Sequence, residues 1–267
     1  MRIVPARSGG KWLARGFALF RKNPSTWLLL VFGYWLTVAL LGQLPYLGPA
    51  LSTILLPAFT MSFMILCATL ESGGQARPVL LFAGFRTGLR GLATLGVLYL
   101  VSIVLVLAIS ALADAGALLE WVLTGRGPST EAIAESGVSR ALLLAALAGT
   151  PVFLAFWFAP PLVGWDRMGA VQSLFYSFFA GWRNWRAFLV YGAILMAAGV
   201  VFLAVLAMVA AITRGSADAL RSMLLLFTVF SLPILFGSFY ASYRDVFPEG
   251  KVAPGAAEIQ KGTSAGP

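Results

Sequence analysis

The chain has no histidine, so the commonest general base and metal ligand near neutral pH is missing. Its one cysteine, Cys67, excludes an internal disulfide and any cysteine-based metal site. Charge is scarce: 11% of residues are Asp, Glu, Lys or Arg, against about 25% in soluble domains. There is no phosphate-binding G-x-x-x-x-G-K, no H-E-x-x-H, no C-x-x-C and no G-x-S-x-G. These absences predict a non-enzyme without a cofactor.

What fills the chain instead is apolar. Hydrophobic residues make up 60% of it. They fall into six runs, 24–44, 50–70, 92–112, 142–163, 188–212 and 224–243, and no charged residue lies in any of them. The hydrocarbon layer needs about 20 apolar residues per crossing helix. Backbone groups in lipid must be satisfied within the segment, and the runs are too long for barrel strands. The predicted fold is all-α: a polytopic membrane protein with six transmembrane helices in one domain, 1–247, followed by a disordered tail, 248–267. The first 22 residues hold six Lys/Arg and no apolar run, so the first span serves as an uncleaved insertion signal.

The net charge of +9 is unevenly placed. Segments 1–23, 71–91, 164–187 and 244–267, which share one side, carry fifteen Lys/Arg, and the other side carries four. This asymmetry predicts that both termini are cytoplasmic. The basic residues flank spans and are not concentrated on a soluble domain. Anionic lipid head groups are therefore the expected partner, and nucleic acid is not.

An internal repeat is visible. Phe17-Ala18-Leu19-Phe20-Arg21 recurs as Phe82-Ala83-Gly84-Phe85-Arg86 and as Phe179-Ala180-Gly181-Trp182-Arg183, each time before an odd-numbered span. Each even span carries a proline (Pro57, Pro151, Pro233) and ends near an acid (Glu71, Asp166, Asp245). The pattern predicts a threefold repeat of helical hairpins, units 11–71, 79–166 and 171–245, each opened by a short interfacial amphipathic helix. In the first short helix Lys11, Arg15 and Lys22 form a stripe opposite Leu13, Phe17 and Phe20. In the third, Val171, Leu174, Phe175, Phe178, Trp182 and Trp185 share a face opposite Ser173, Tyr176 and Asn184. The bland reading makes these helices membrane elbows. The sharper one makes Arg21, Arg86 and Arg183 a rim that holds lipid phosphate by paired hydrogen bonds.

Inside the spans, Pro57, Pro151, Pro160, Pro161 and Pro233 predict kinks that help packing or line a site. Ala193, Ala197, Ala204, Ala207 and Ala211 make a small-residue stripe expected to pack against a neighbouring helix. Tyr34, Ser62, Tyr99, Ser102, Thr228 and Ser238 either line a weakly polar cavity or bond between helices. Glu71, Asp166 and Asp245 are expected to pair with Arg77, Arg167 and Arg244. A three-carboxylate metal site is the remote alternative. The 113–140 segment contains an apolar stretch that could rest on the outer membrane surface.

Two strings carry a resemblance. Lys22-Asn23-Pro24-Ser25-Thr26-Trp27 opens the first span, with Tyr34-Trp35-Leu36 further along. Ser177-Phe178-Phe179-Ala180-Gly181-Trp182-Arg183-Asn184-Trp185-Arg186-Ala187-Phe188 precedes the fifth. Together they resemble a family of proteobacterial six-helix inner-membrane proteins, from about Lys11 to Phe247. The resemblance implies a bacterial inner-membrane location and six helices, and it carries no activity and no catalytic residues.

The sequence thus points to a protein that binds or moves a lipid or other amphipathic molecule. The rival reading is an assembly or scaffold factor docking on another membrane protein or a second copy of itself. The charge asymmetry makes one direct prediction. A reporter active only in the periplasm, fused after Phe247, stays silent, and one active only in the cytoplasm is bright; the opposite result reverses the topology.

Overall fold

The computed structural model describes residues 1–45, 47–124 and 137–248. The tail from 249 and segment 125–136 of the long loop lie outside the described residues. The helices are α1 (Ser8–Lys22), α2 (Pro24–Gly42), α3 (Leu47–Glu71), a 3-10 segment (Pro78–Arg86), α4 (Leu89–Asp114), α5 (Ala117–Thr124), α6 (Val138–Trp157), α7 (Ala159–Gly164), α8 (Ala170–Arg183), α9 (Trp185–Ile212) and α10 (Ala217–Val246). Six are long and apolar enough to cross a membrane, counting α6 and α7 as one interrupted span. They match the six apolar runs.

Local chemistry sets the junctions. Asn23 separates α1 from α2 and accepts from the Thr26 N–H at 3.2 Å, while Pro24 starts α2 where no N–H is needed. The buried Trp27 indole donates to the Leu19 carbonyl at 3.3 Å, satisfying an orphan acceptor at the end of α1. Asn184 does similar work between α8 and α9. It donates to the Ala180 carbonyl at 2.9 Å and accepts from the Val4 N–H at 2.8 Å, which ties the N-terminal segment to this junction. Arg2 adds a backbone bond to the Val246 carbonyl at 2.7 Å. The two ends of the described chain therefore meet.

The centre of the bundle is α3. About 67% of its apolar stretch is buried within the chain, against none for α9. α3 packs against α2, α4, α10 and the 3-10 segment. The spans are held by rings as well as by aliphatic contacts. Phe63 stacks between Trp27 at 5.9 Å and Phe236 at 4.2 Å, joining α2, α3 and α10.

Each short helix lies along an even-numbered span. α1 packs on α10, the 3-10 segment on α3, and α8 on α6. Close approach depends on missing side chains. A Cβ on Gly16 would stand 2.3 Å from the Ile234 carbonyl oxygen, and one on Gly84 would stand 2.0 Å from that of Ala58. Hydroxyls fill the same seams: Ser62 accepts from the Gly84 N–H at 2.9 Å.

The buried faces of these helices are lined largely by small residues. α8 buries Ser173, Ser177, Ala180 and Gly181 and turns Phe175, Trp182 and Val171 outward. α1 buries Gly9, Trp12, Gly16 and Leu19 and leaves Phe17 exposed. The reason is the solvent. Lipid accepts aromatic rings as readily as a core does, so small residues that allow contact take the inner face. The alanine stripe of α9, Ala193, Ala197, Ala204, Ala207 and Ala211, is exposed along its length.

The apolar stretch after α4 forms α5. Asp114 turns the chain there, accepting from the Gly116 N–H at 3.0 Å and the Leu118 N–H at 2.7 Å. Ala115 and Gly116 take the left-handed region that this sharp turn requires.

The glycine seams give a test. Gly84→Ala lowers unfolding stability in detergent by roughly 1–3 kcal/mol, the usual cost of overpacking. Gly192→Ala, where a Cβ meets nothing within 4 Å, is neutral or stabilising. Equal melting temperatures for the two variants would remove the close-packing argument.

Candidate functional site

The site begins with a break in the fourth span. Pro160 and Pro161 have no N–H, so the carbonyls of Phe156 and Trp157 lose their intrahelical donors. α6 ends at Trp157 and α7 starts at Ala159. The break is patched from α8. The Ser177 hydroxyl accepts from the Phe158 N–H at 2.8 Å and donates to the Leu154 carbonyl at 2.7 Å. A buried hydroxyl is thus inserted into the ladder of another helix, a recognised cause of a kink.

Beside the break the bundle is not closed. α6 shares no extended backbone packing with α9 or α10. Between them lies a cavity of about 580 Å³, lined by α3, α4, α6, α7, α9 and α10. Five of the six spans contribute and α2 does not. The walls are apolar, including Pro57, Ile103, Val152, Leu195 and Leu232, and no lining residue carries charge.

Trp157 bridges the gap. Its ring lies 4.8 Å from Phe153, 5.5 Å from Phe188, 5.6 Å from Tyr191 and 5.3 Å from Phe239. Its indole N–H donates to the Ser242 hydroxyl at 3.1 Å. Tyr191 and Ser238 share a hydrogen bond of 2.8 Å in the same region. One ring from the fourth span therefore joins the fifth and sixth where their backbones do not meet.

Of the residues read as candidate cavity lining, Tyr99 is there. Ser62, Ser102, Ser238 and Thr228 bond to their own helices or to neighbours. Tyr34 packs on Phe59 and Phe63. Thr60, Trp157 and Tyr191 were not singled out by sequence reasoning. The Pro160-Pro161 pair three residues after Trp157 is a signal that could have drawn notice to Trp157, and nothing local marks Thr60 or Tyr191.

A second set of polar residues lies at the end of the bundle that gathers Arg2, Lys22, Arg77 and Arg244, the basic end. The three span-terminal acids are each held by an aromatic donor from another helix. Tyr240 donates to Glu71 at 2.6 Å, Tyr243 to Asp166 at 2.9 Å and the Trp12 indole to Asp245 at 3.1 Å. Arg244 lies 3.8 Å from Glu71, and Arg2 pairs with Asp245. The acids do form ion pairs at this boundary, but two arginines take other partners than their neighbours: Arg77 bonds Gln75 at 3.3 Å, and Arg244 reaches Glu71 rather than Asp245. Adjacent residues on a helix point to different faces, so a neighbour in sequence seldom becomes a partner. Among the described residues no three metal-ligating side chains converge. A recess of about 500 Å³ at this end is lined by Lys22, Asn23, Leu70, Gly73, Gly74 and Arg77 among others. Lys22 Nζ donates to the Leu70 carbonyl there at 2.8 Å.

Arg21, Arg86 and Arg183 are exposed, each in the last turn of its short helix, where a cation complements the helix dipole. The Arg21 guanidinium lies 5.8 Å from the Phe17 ring centre. The three short helices share no extended packing with one another.

The chain is 38% identical over 265 residues to a "probable inner membrane protein" of Burkholderia thailandensis, covering 96% of each chain. The chain belongs to this protein's family. It is thus a multi-pass inner-membrane protein of the uncharacterised family that the sequence strings resemble, and lipid contacts its apolar spans. No family model matches the sequence, and no solved structure matches the fold.

The aromatic–carboxylate pairs give the next test. Tyr240→Phe removes the hydroxyl donor from Glu71 and lowers stability by about 1.5 kcal/mol, the low end for a hydrogen bond to a charged group, because Glu71 is half exposed. Thermal unfolding in detergent measures it; an unchanged melt would mean that the pair carries no stability.

Proposed function

We propose that this protein is a non-enzymatic membrane protein that binds a lipid or other amphipathic molecule in the cavity beside the broken fourth span. The cavity is the observation that carries the reading. Its volume of about 580 Å³ falls within the range of about 300–1,000 Å³ for small-molecule pockets. Its wall offers apolar side chains, hydroxyls and an indole, and no carboxylate or thiol. Interrupted membrane helices recur where membrane proteins hold a substrate.

The basic end belongs to the same reading, facing the cytoplasm with both termini. Lys22 and Arg77 in the recess, together with the exposed Arg21, Arg86 and Arg183, attract anionic head groups there, each contributing on the order of 1 kcal/mol. The threefold repeat of hairpins is also part of it. It is supported by three short helices that each lie along an even span, with the exposed Phe17, Phe82 and Phe179 opening each motif. One observation favours the rival reading of an assembly factor: the outward-facing alanines of α9 present a surface on which another helix could pack closely.

Photolabelling decides between them. A single-chain amphipath with a diazirine in its acyl chain, added to nanodiscs holding the full chain, is expected to label 99–107, 149–160 and 232–239. Leu195→Trp, which fills the cavity, cuts that labelling several-fold and leaves labelling of the outer lipid face unchanged. Labelling confined to the outer face, with a stoichiometric protein partner captured on α9, would replace this proposal with the rival.

A further inference from the structure

Among the described residues, two hydroxyls that line the cavity have no hydrogen-bond partner. Thr37, Thr53, Thr69, Thr94, Thr150 and Thr228 each fold the hydroxyl back onto a carbonyl of the same helix, at 2.7 to 2.9 Å. Thr60 on α3, which lines the cavity, makes no such bond. Tyr191, Tyr240 and Tyr243 engage a side chain through the hydroxyl, while Tyr34 and Tyr176, outside the cavity, make ring contacts. Tyr99, on the neighbouring α4 and lining the same cavity, has only a ring contact with Phe156 at 5.0 Å. A hydroxyl left unpaired in an apolar environment costs roughly 1–3 kcal/mol on protein scales.

From this pair, and resting on the lipid-binding reading above, we infer that the cavity selects an uncharged amphipath. Its hydroxyl or carbonyl oxygen bonds Thr60 and Tyr99, and its single apolar chain fills the remaining space. A hydroxyl offers one donor and two acceptor positions, so a neutral ester, alcohol or ketone satisfies it without a counter-charge. A carboxylate or phosphate would enter a low-dielectric site with no cation among the lining residues, which is strongly unfavourable. The volume suits one chain in a pocket of ordinary small-molecule size better than a whole two-chain phospholipid. The ligand class is therefore a neutral single-chain lipid of the monoacylglycerol type, and Thr60 and Tyr99 are its specificity-determining residues.

Three probes with the same diazirine-bearing chain test this on the full chain in nanodiscs: 1-oleoylglycerol, oleate and the corresponding hydrocarbon. 1-Oleoylglycerol is expected to label the cavity about tenfold more strongly than oleate. The double variant Thr60→Val with Tyr99→Phe brings it down by about tenfold, to the level of the hydrocarbon, for the loss of two neutral hydrogen bonds. Labelling by the hydrocarbon itself is unchanged in the variant, which also shows that the cavity still forms. Equal labelling by oleate, or a double variant labelled like the parent, would overturn the neutral-lipid inference and leave the cavity reading standing. No cavity labelling by any of the three would overturn both.

Discussion

A peptide group in hydrocarbon has no water to bond to, and apolar side chains gain nothing there by leaving lipid for a neighbouring helix. The structure depends on how the chain meets that pair of constraints. Long helices satisfy their own backbones. They adhere through close approach of small residues, through hydroxyls and through stacked rings. Gly16 against α10 and Gly84 against α3 show the first means. Ser62 and Ser177 show the second. Phe63, stacked between Trp27 and Phe236, shows the third.

The same constraint makes the fourth span informative. A proline pair in lipid leaves two carbonyls without intrahelical donors, and such a break persists only where the chain compensates nearby. Ser177 from α8 enters at the break, bridging the Phe158 N–H and the Leu154 carbonyl just before the orphaned groups. The other consequence is geometric. With its helix interrupted, the fourth span leaves the fifth and sixth at a distance, and Trp157 spans what the backbones do not. The cavity is the space that remains, so the site follows from the break.

At the basic end the acids sit where water is within reach, and they are held differently. Each carboxylate takes a hydrogen bond from an aromatic donor on another helix. Two of the three donors, Tyr240 and Tyr243, are three residues apart and so share a face of α10. α10 therefore collects the ends of the second and fourth spans, while Trp12 and Arg2 bring the start of the chain to Asp245. The last helix and the first segment close the bundle on itself.

The sequence by itself determined the class, the six spans and the junctions, because hydropathy, span length and charge placement act on short stretches and need no partner. Pro24 and Asn23 marked the start of α2 for the same reason. Much of the rest required tertiary structure. Helical wheels gave α8 a ring-bearing face toward the membrane, but only the fold showed that Ser173, Ser177, Ala180 and Gly181 form its packing seam, since lipid removes the drive to bury rings. That the alanine stripe of α9 faces outward was likewise decided only by the fold. Tyr99 was legible as a candidate lining residue. Thr60, Trp157 and Tyr191 were not, because a cavity is defined by where five spans fail to meet, and that is a property of no single stretch of chain.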